Sequence, residues 1–572
     1  MNRSAVKMGF AVLLLMVLLL TTFSHGNSFA DVLTDQMTAA ISNRLKTGQA
    51  PKSAGSSGET LGFPAELKIF YARRGFHPAW ISNKGLLPAA TSLLDVLQKA
   101  SRHGLQPEDY HLAPIKSLML RRGIWGGKNP SRFDNSVDLD FLLTDAFFLY
   151  ASHLATGKVN PEQIKAQWFI RKRKLPDLPR TLEKALQSGN PESLLESLAP
   201  SSPSYTRLMT VLQKYRKIDK EGGWPVVPAG TSLKEGDRSE QVLLLRERLE
   251  IPGVFPFWED NGKNEGKYLF DESLVQAVKA FQERHGLTAD GVVGPETLEI
   301  MNIPVAERIS QIEVNLERRR WMPDALGDPV VIINIPEFML RFIKNGKEVI
   351  NSRIVVGKYA SNTPVFDSRI SHFILNPYWN VPRSIAVEEI LPQIQKSEEY
   401  LIWEDMKVLS DSKGSTKIVP PWTINWQRMT AGNFNYLIRQ DPGPRNPLGR
   451  IKFVFPNSFD VYLHDTPARN LFEKTERSFS HGCIRVENPI ELAAFLLPGD
   501  PAKSENELQS AAEAGKRKQI RLPRAVGIYI LYFTAWVDAD GTVQFRKDIY
   551  NHDAPLRDAL RKAVALSGSW KD

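Results

Sequence analysis

The sequence VYLHDTPARNLFEKTERSFSHGCIRVENPIELAAFLL spans residues Val461–Leu497 and contains Cys483, the only cysteine of the chain. After the cysteine, Asn488 and Pro489 are typical of an N-cap and a first helical position. Glu491 completes a capping arrangement before the apolar run ELAAFLL. The pattern predicts that Cys483 lies on a short segment immediately ahead of a helix.

The surroundings of this thiol favour a catalytic role over a structural one. A lone cysteine is commonly a buried structural residue, and so is a single histidine. A nucleophilic sulfur must be a thiolate, whereas a free thiol with a pKa near ~8.5 is mostly protonated at neutral pH. His464, His481 and Arg485 are candidates to ionise it, and the last two share the face of Cys483 in an extended segment. The joint arrangement predicts a cysteine nucleophile activated by histidine.

Gly482 directly precedes the thiol and has no Cβ atom, so a carbonyl carbon can approach the sulfur and the nearby N–H groups. Backbone donors in such a position form an oxyanion hole, where one donor contributes about 2.7–4 kcal/mol to lowering the barrier. We therefore predict that the backbone around His481, Gly482 and Cys483 stabilises negative charge on a substrate oxygen.

The N-terminus is typical of an export signal. Arg3 and Lys7 precede the apolar run Met8–Phe23, and Ser28-Phe29-Ala30 forms a small-x-small cleavage pattern before Asp31. The alternative is a membrane anchor, but the run is shorter than the ~18–20 residues that span a bilayer comfortably. We expect a cleaved signal over residues 1–30 and a periplasmic protein, attached to the inner membrane only if the signal is retained. A single cysteine excludes a disulfide framework.

Charge and motifs narrow the class of ligand. The formal net charge is +9, a modest basic excess that suits an anionic envelope polymer and would also suit nucleic acid. No zinc-finger spacing, phosphate loop or GxGxxG motif supports nucleic acid or nucleotides. HExxH is also lacking, and His464, Asp465 and His481 would be a poor zinc set because adjacent residues point apart. We expect neither a metal nor another cofactor.

The N-terminal half divides into three predicted parts. Residues 31–60 are predicted as a linker, since TGQAPKSAGSSGET (47–60) is rich in Gly, Ser, Ala and Pro. Residues 61–228 form a helical scaffold, with apolar residues at helical spacing in Ala89–Ala100 and Leu139–Leu154. Residues 229–303 form a small three-helix unit, in which Asp271 caps the second helix and Pro295 begins the third.

The C-terminal half is predicted to be mainly β. After a connector (304–328), short β-branched segments with turns such as Asn345-Gly346 indicate an antiparallel unit over 329–572. The predicted strands are 330–335, 338–343, 352–357, 371–375, 450–455, 460–463, 527–537 and 542–546. The segment 388–436 interrupts them, is interpreted as helix and loop, and is predicted to be a lid rather than a passive surface excursion. The expected fold class is therefore multidomain α+β.

Two motifs resemble known families. SHGCIR (480–485), with YLHDTP (462–467) upstream, resembles the catalytic motif of the L,D-transpeptidases, as does NPYWNVPRSIA (376–386). FDESLVQAVKAFQERHGLTADGVVGPETLEIMN (270–302) resembles the three-helix peptidoglycan-binding domain. The order of scaffold, binding domain and catalytic domain is similar to that of the large periplasmic members of the family.

The resemblance implies roles for individual residues. Cys483 would be the nucleophile and His464 its general base, with the imidazole oriented by the backbone carbonyl of Asp465. The oxyanion and substrate site would be shaped by the remaining residues of the motif, namely Ser480, His481, Gly482, Arg485 and Tyr462.

The reaction implied is two acyl transfers on peptidoglycan. Cys483 would attack a tetrapeptide stem and release D-alanine, and an amine acceptor would then resolve the thioester to form a 3-3 cross-link. The partners implied are stem peptides and glycan, with envelope proteins as further candidates, and carbapenems would acylate the same thiol. The alternatives are an L,D-carboxypeptidase, a transpeptidase that anchors wall proteins, a zinc peptidase and a non-enzymatic binding scaffold.

Overall fold

The computed structural model describes residues 34–46, 53–54, 59–82, 85–120, 130–164, 166–251, 264–412 and 415–562. The predicted export signal lies outside the described residues. Within them, none of the helices combines the length and apolar character that crossing a bilayer requires.

The N-terminal unit is helical and is built around one long central helix, Pro130–Thr156. Its side chains Leu142, Phe147 and Tyr150 are completely buried, because other helices surround it. The surrounding helices are Pro64–Arg73, Pro88–Gln98, Leu112–Leu120, Leu178–Ser188, Pro191–Glu196 and Pro203–Lys220.

Polar groups inside this unit have structural partners. Asp145 accepts hydrogen bonds from the backbone N–H groups of Gly62 and Phe63 and lies 2.8 Å from His111 Nε2. His153 Nδ1 contacts the Tyr110 hydroxyl at 3.1 Å. These contacts hold the helices together and agree with the scaffold role expected from the sequence.

The predicted linker is wrong in its first part. Residues 34–46 form a helix, and Met37, Ile41 and Leu45 are buried in the core of the helical unit. Their i, i+4, i+8 spacing is an amphipathic signal that the adjacent low-complexity segment obscured. Within that segment, Ser53–Ala54 pairs with Glu59–Thr60, and the rest lies outside the described residues.

The three-helix unit has its own small core. Its helices are Glu240–Leu249, Glu272–Arg284 and Pro295–Met301. The Asp271 side chain accepts a hydrogen bond from Leu274 N at 2.9 Å, which confirms the predicted cap. Val242, Leu274, Val278 and Phe281 are buried between the helices.

The mainly β unit is a mixed sheet with ten described strands that closes on itself. Closure occurs because Ile451–Val454 pairs on one side with Leu463–His464 and on the other with Val365–Leu375. The path between them runs through Ile484–Val486, Lys347–Gly357, Met339–Lys344, Val330–Asn334 and Lys518–Leu531, while Ser478–Ser480 adds to Lys347–Gly357. The predicted α+β class is confirmed.

The helical and β units exchange elements. Trp168–Phe169, from the helical unit, pairs in parallel with Val365–Phe366 of the sheet. Conversely, the hairpin Ala535–Val537 and Val543–Phe545 packs into the helical core. The predicted strand 527–537 is therefore wrong in extent, because the sheet strand ends at Leu531 and the chain turns toward the helices.

The connector is mostly one helix, Val305–Trp321, and it contributes to both cores. Ile312 and Leu316 pack in the helical core, whereas Val314 and Trp321 pack against the sheet. The two units therefore share a helix as well as exchanging strands.

The interrupting segment folds as a separate subdomain, here called the cap, from Trp379 to Gln440. Its helix-and-loop interpretation is wrong in part, because strands Trp379–Asn380, Met406–Ser412, Ser415–Val419 and Tyr436–Gln440 form a four-stranded sheet. Helical segments cover Arg383–Ile385, Ala386–Ile390, Leu391–Lys396 and Glu399–Trp403. Val408, Trp426, Phe434 and Ile438 are buried in the core of the cap.

Candidate active site

A cavity of about 1000 Å³ lies between the closed sheet and the cap. The sheet contributes Tyr462, His464, Cys483 and Arg485 to its wall, and the cap contributes segments that include Glu389. His464 and Arg485 are register partners in parallel strands, and Leu463 is paired with Ile484. Side chains two residues apart on a strand share a face, so Cys483 and Arg485 both point into the cavity that His464 lines.

The thiol of Cys483 has two neighbours in this structure. Its Sγ lies 3.7 Å from the carbonyl oxygen of Asp460. Burial raises the pKa of the Cys483 thiol, while hydrogen bonding from Tyr462 and the positive charge of Lys452 lower it. The raised pKa favours the neutral thiol at rest, and the thiol contacts Asp460 and Tyr462.

His464 is buried at the end of its short strand and is held by backbone. Its Nδ1 lies 2.5 Å from the carbonyl oxygen of Asp465. Burial and the nearby Arg485 and Lys452 lower the pKa of His464 to about 3. An imidazole with this pKa is neutral at physiological pH. Its Nδ1–H donates to the carbonyl oxygen of Asp465, and the backbone of Pro447 also hydrogen-bonds to the ring.

The Asp465 side chain does not take part in this contact. Its Oδ2 accepts a hydrogen bond from Arg450 N at 2.9 Å, and its Oδ1 lies 3.5 Å from Arg469 Nη1. The carboxylate therefore stabilises the adjacent loop, and only the backbone of Asp465 contacts the imidazole.

The turn before Cys483 differs from the predicted oxyanion set. Gly482 N donates to Ser480 Oγ at 3.1 Å, and Ser480 Oγ donates to the Cys483 carbonyl at 2.6 Å. The N–H of Gly482 is therefore occupied, and the hydroxyl of Ser480 braces the turn instead of facing substrate. No acceptor for the Cys483 N–H is found among the residues that the structure describes.

Gly482 itself is required by the backbone. Its φ is +112°, a conformation that side chains with a Cβ rarely adopt. A Cβ at this position would meet no atom closer than 3.7 Å. The reason for glycine is thus conformational, in addition to the steric approach inferred from the sequence.

His481 points toward the cap rather than the thiol. Its Nε2 lies 2.7 Å from Glu389 Oε1, and both side chains are partly exposed. Glu389 lies in the π-helical turn Ala386–Ile390, a type of irregularity frequent at functional sites. The contact ties the cysteine motif to the cap.

Lys452 is a site residue that sequence reasoning missed. It is the register partner of His464 in the neighbouring strand, and its Nζ lies 3.5 Å from the centroid of the Tyr462 ring. Burial lowers the pKa of Lys452, while Cys483 and Asp460 raise it. The alternation of residues in KFVF (452–455) predicts that Lys452 and Phe453 point to opposite faces of the sheet. Only the strand pairing shows that the face with Lys452 is the one beside the thiol.

The N-terminal prediction for the following helix needs one correction. The helix Pro489–Leu496 begins where predicted, but the Asn488 side chain makes no capping hydrogen bond. The Asn488 backbone N–H instead donates to Ser352 Oγ at 3.3 Å. The neighbouring strand, which contains Ser352, therefore supplies a hydrogen-bond partner at the start of this helix.

Among the described residues, no group of three or more His, Cys, Asp or Glu side chains is arranged to hold a metal ion.

Three family models match this chain. The Scaffold domain matches residues 65–212, the putative peptidoglycan binding domain matches residues 238–301, and the L,D-transpeptidase catalytic domain matches residues 328–503. The last range contains the cap and every residue of the cavity described above.

Two curated proteins are similar over part of the chain. A putative L,D-transpeptidase of Haemophilus influenzae is 32% identical over 246 residues, which is 43% of this chain and 48% of that protein. The N-acetylmuramoyl-L-alanine amidase CwlM of Mycobacterium tuberculosis is 42% identical over 71 residues, or 12% of this chain and 18% of the amidase. The chain thus spans about half the length of the first relative and less of the second.

Two solved structures of L,D-transpeptidases also match. The protein from Xylanimonas cellulosilytica is 17% identical, with 53% of this chain and 99% of that chain covered and a TM-score of 0.17. That from Stackebrandtia nassauensis is 13% identical, with 54% and 96% covered and a TM-score of 0.19. TM-scores this low do not support a conclusion about the fold or the function of this chain.

The assignment rests on the family models and on the Haemophilus protein, and it confirms the resemblance found in the motifs. This chain carries an L,D-transpeptidase catalytic domain, joined to a peptidoglycan-binding domain and a helical scaffold domain.

Proposed function

We propose that this protein is a cysteine L,D-transpeptidase that acylates Cys483 with a peptidoglycan tetrapeptide stem and transfers the acyl group to an amine, forming 3-3 cross-links. The observation that carries the proposal is one cavity lined by a cysteine, a neutral histidine and two cations. These are the groups that acyl transfer through a thioester requires.

The first step needs the thiol proton to reach His464. At rest the sulfur contacts Asp460 O at 3.7 Å, so the thiol must leave this contact to transfer its proton to the imidazole. Substrate entering the cavity would displace the thiol from Asp460. The thiolate then attacks the carbonyl of the third stem residue, and the imidazolium returns the proton to the leaving D-alanine nitrogen.

Lys452 and Arg485 act in opposite directions on the two products of this transfer. Both lie close to His464 and Cys483 in the cavity wall, and their positive charges oppose an imidazolium but stabilise a thiolate. Among the described residues neither cation is paired with a carboxylate at 4.0 Å or less, although the charge of Asp460 raises the pKa of Lys452. We infer that the carboxylates of the stem peptide complete their charge balance when substrate binds.

The second step is attack of an amine on the thioester. His464 removes a proton from the incoming amine, the S–C bond breaks, and the thiol is restored. Water competes with the amine, so an enclosed cavity favours transfer over hydrolysis. The cap lines part of the cavity wall, and the His481–Glu389 contact links it to the cysteine motif.

The wider setting follows from the other domains. A peptidoglycan-binding domain would keep the enzyme on the polymer that contains its substrate, and a substrate of this kind places the protein outside the cytoplasm. Export through residues 1–30 to the periplasm is the route that the sequence predicts. Contacts of the scaffold with envelope proteins are a further expectation.

The direct test incubates the purified protein and its Cys483→Ala variant with disaccharide tetrapeptide, followed by mass spectrometry. We expect D-alanine release and a cross-linked dimer from the wild type and neither from the variant. D-alanine release without dimer, with an amine acceptor present, would indicate a carboxypeptidase instead. No release at all from folded wild-type protein would contradict the enzymatic proposal and favour a binding scaffold.

A further inference from the structure

We propose that Thr363 and Tyr550 are positioning residues for the oxyanion hole: they fix the Gly482–Cys483 peptide so that the Cys483 N–H faces the cavity. This inference rests on the proposed acyl transfer at Cys483 and names the groups that prepare its backbone donor. Neither residue lines the cavity or contacts the sulfur.

The first observation is the hydrogen bonding of the Thr363 hydroxyl. Thr363 is completely buried, its Oγ1 accepts from Gly357 N at 2.9 Å, and it lies 2.8 Å from the carbonyl oxygen of Gly482. Since Gly357 supplies its own proton, the single hydroxyl proton of Thr363 is directed to Gly482 O. The direction of this bond is therefore determined.

The second step follows from the geometry of the peptide group. In a planar trans peptide the C=O and the next N–H point in opposite directions. Because Thr363 holds the Gly482 carbonyl inside the protein, the Cys483 N–H is directed to the other side, where Cys483 lines the cavity. The neighbouring Gly482 N–H is occupied by Ser480, which leaves the Cys483 N–H as the donor.

Fixation matters at this peptide because glycine resists rotation less than other residues. Gly482 has a φ of +112° and no Cβ, so rotating the peptide plane has a small steric cost. Such a rotation would exchange the N–H for the carbonyl oxygen and present negative rather than positive partial charge to the substrate. A hydrogen bond to the carbonyl opposes it.

The Tyr550 hydroxyl hydrogen-bonds to the backbone on both sides of the Thr363 contact, at Thr363 and at Gly357. Its hydroxyl donates to Gly357 O at 2.5 Å and accepts from Thr363 N at 3.3 Å. The Tyr550 N–H in turn donates to the Tyr532 hydroxyl at 2.8 Å, and that hydroxyl donates to Asp548 at 2.6 Å. The C-terminal segment therefore braces the peptide next to the nucleophile.

The test compares two reactions of the same thiol in the full-length protein. With p-nitrophenyl acetate, Sγ attacks the acetyl carbon and p-nitrophenolate leaves through a tetrahedral oxyanion, which needs the N–H donor. With iodoacetamide, Sγ displaces iodide from a saturated carbon without an oxyanion. Both rates are measured in the wild type, Thr363→Val, Thr363→Ser and Tyr550→Phe, and thermal unfolding is measured for each.

We expect Thr363→Val to lower the acetylation rate roughly 10- to 100-fold, up to the loss of one oxyanion donor, and to leave the alkylation rate within about twofold. Thr363→Ser keeps the hydroxyl and should restore acetylation, while Tyr550→Phe should show a smaller loss of the same kind. Equal losses in both reactions, or acetylation by Thr363→Val at the wild-type rate, would overturn the inference. Neither probe contains a stem peptide, so failure of the tetrapeptide reaction in wild type would count against the proposed function alone.

Discussion

His481 Nε2 lies 2.7 Å from Glu389 Oε1, so the residue two positions before the nucleophile is bonded to the cap. The cysteine motif and the cap are far apart in sequence, yet their surfaces face the same cavity. The contact provides a physical link between the position of the cap and the proposed thioester on Cys483.

Removing the cap contact should increase hydrolysis. An exposed ion pair contributes about 0–1 kcal/mol, so Glu389→Ala should raise the ratio of hydrolysed to cross-linked product by up to about fivefold. The ratio is measured by chromatography of products with tetrapeptide as donor and acceptor. Glu388→Ala is the matched control, since Glu388 is exposed and adjacent. An unchanged ratio in Glu389→Ala would contradict the role of this contact.

Replacing Lys452 should shift the ionisation of the thiol. The positive charge of Lys452 lowers the pKa of Cys483, so Lys452→Met should raise that pKa and move the alkylation-rate profile to higher pH. Iodoacetamide alkylation between pH 6 and 10 measures the shift. Lys417→Met, at an exposed position of the cap, should leave the profile unchanged, and an identical profile in Lys452→Met would show that its charge does not reach the sulfur.

The buried His153 should make the fold sensitive to acid. Burial lowers the pKa of His153 to about 3, whereas an unfolded histidine has a pKa near ~6.5. Below pH 6.5 the unfolded state binds a proton that the folded state does not, so this stability is present above pH 6.5 and is lost toward pH 3. The loss reaches at most about 1.4 kcal/mol per pH unit.

Denaturant unfolding of wild type and His153→Gln at pH 7.5, 5.5 and 4.5 tests this point. The free energy of unfolding should fall less steeply with acid in the variant, because glutamine does not titrate. Parallel curves would mean that His153 is protonated in the fold.

The exchanged strand should stabilise the association of the helical and β units. Trp168 is 6% exposed, and its ring centroid lies 5.2 Å from that of Trp321. Trp168→Ala should lower the free energy of unfolding by about 3–5 kcal/mol. Phe169→Ala is the control, since the neighbouring Phe169 is 54% exposed and should cost less than about 1.5 kcal/mol. Similar losses from the two substitutions would contradict the packing described.

Local patterns predicted most of the elements. The Asp271 cap, the Pro295 and Pro489 helix starts and the strand alternation from Val330 onward depend on neighbours in sequence, and the structure agrees with them. The exchanged strand at Trp168 escaped prediction because its partner is distant in sequence. The cap hairpin of Met406–Ser412 and Ser415–Val419 is local and was missed nevertheless.

The residues of the candidate site divide in the same way: some could be proposed from local sequence, and others are apparent only in the structure. Cys483 and His464 could be proposed from the motif, and the structure places both in the wall of one cavity. Lys452 and Thr363 could not be found in this way, because both lie outside the motif in sequence. Lys452 lies beside it through strand register, and Thr363 through a hydrogen bond to the carbonyl oxygen of Gly482. The contact of the thiol with Asp460 also depends on side-chain rotation, which sequence does not specify.

The most direct measurement is the intact mass of the protein after acid quenching during turnover with disaccharide tetrapeptide. The account predicts an adduct equal in mass to the disaccharide tetrapeptide minus D-alanine, located by peptide mapping on the fragment containing Cys483 and formed much more slowly in His464→Gln. Cross-linked product without such an adduct, or an adduct on another residue, would contradict it.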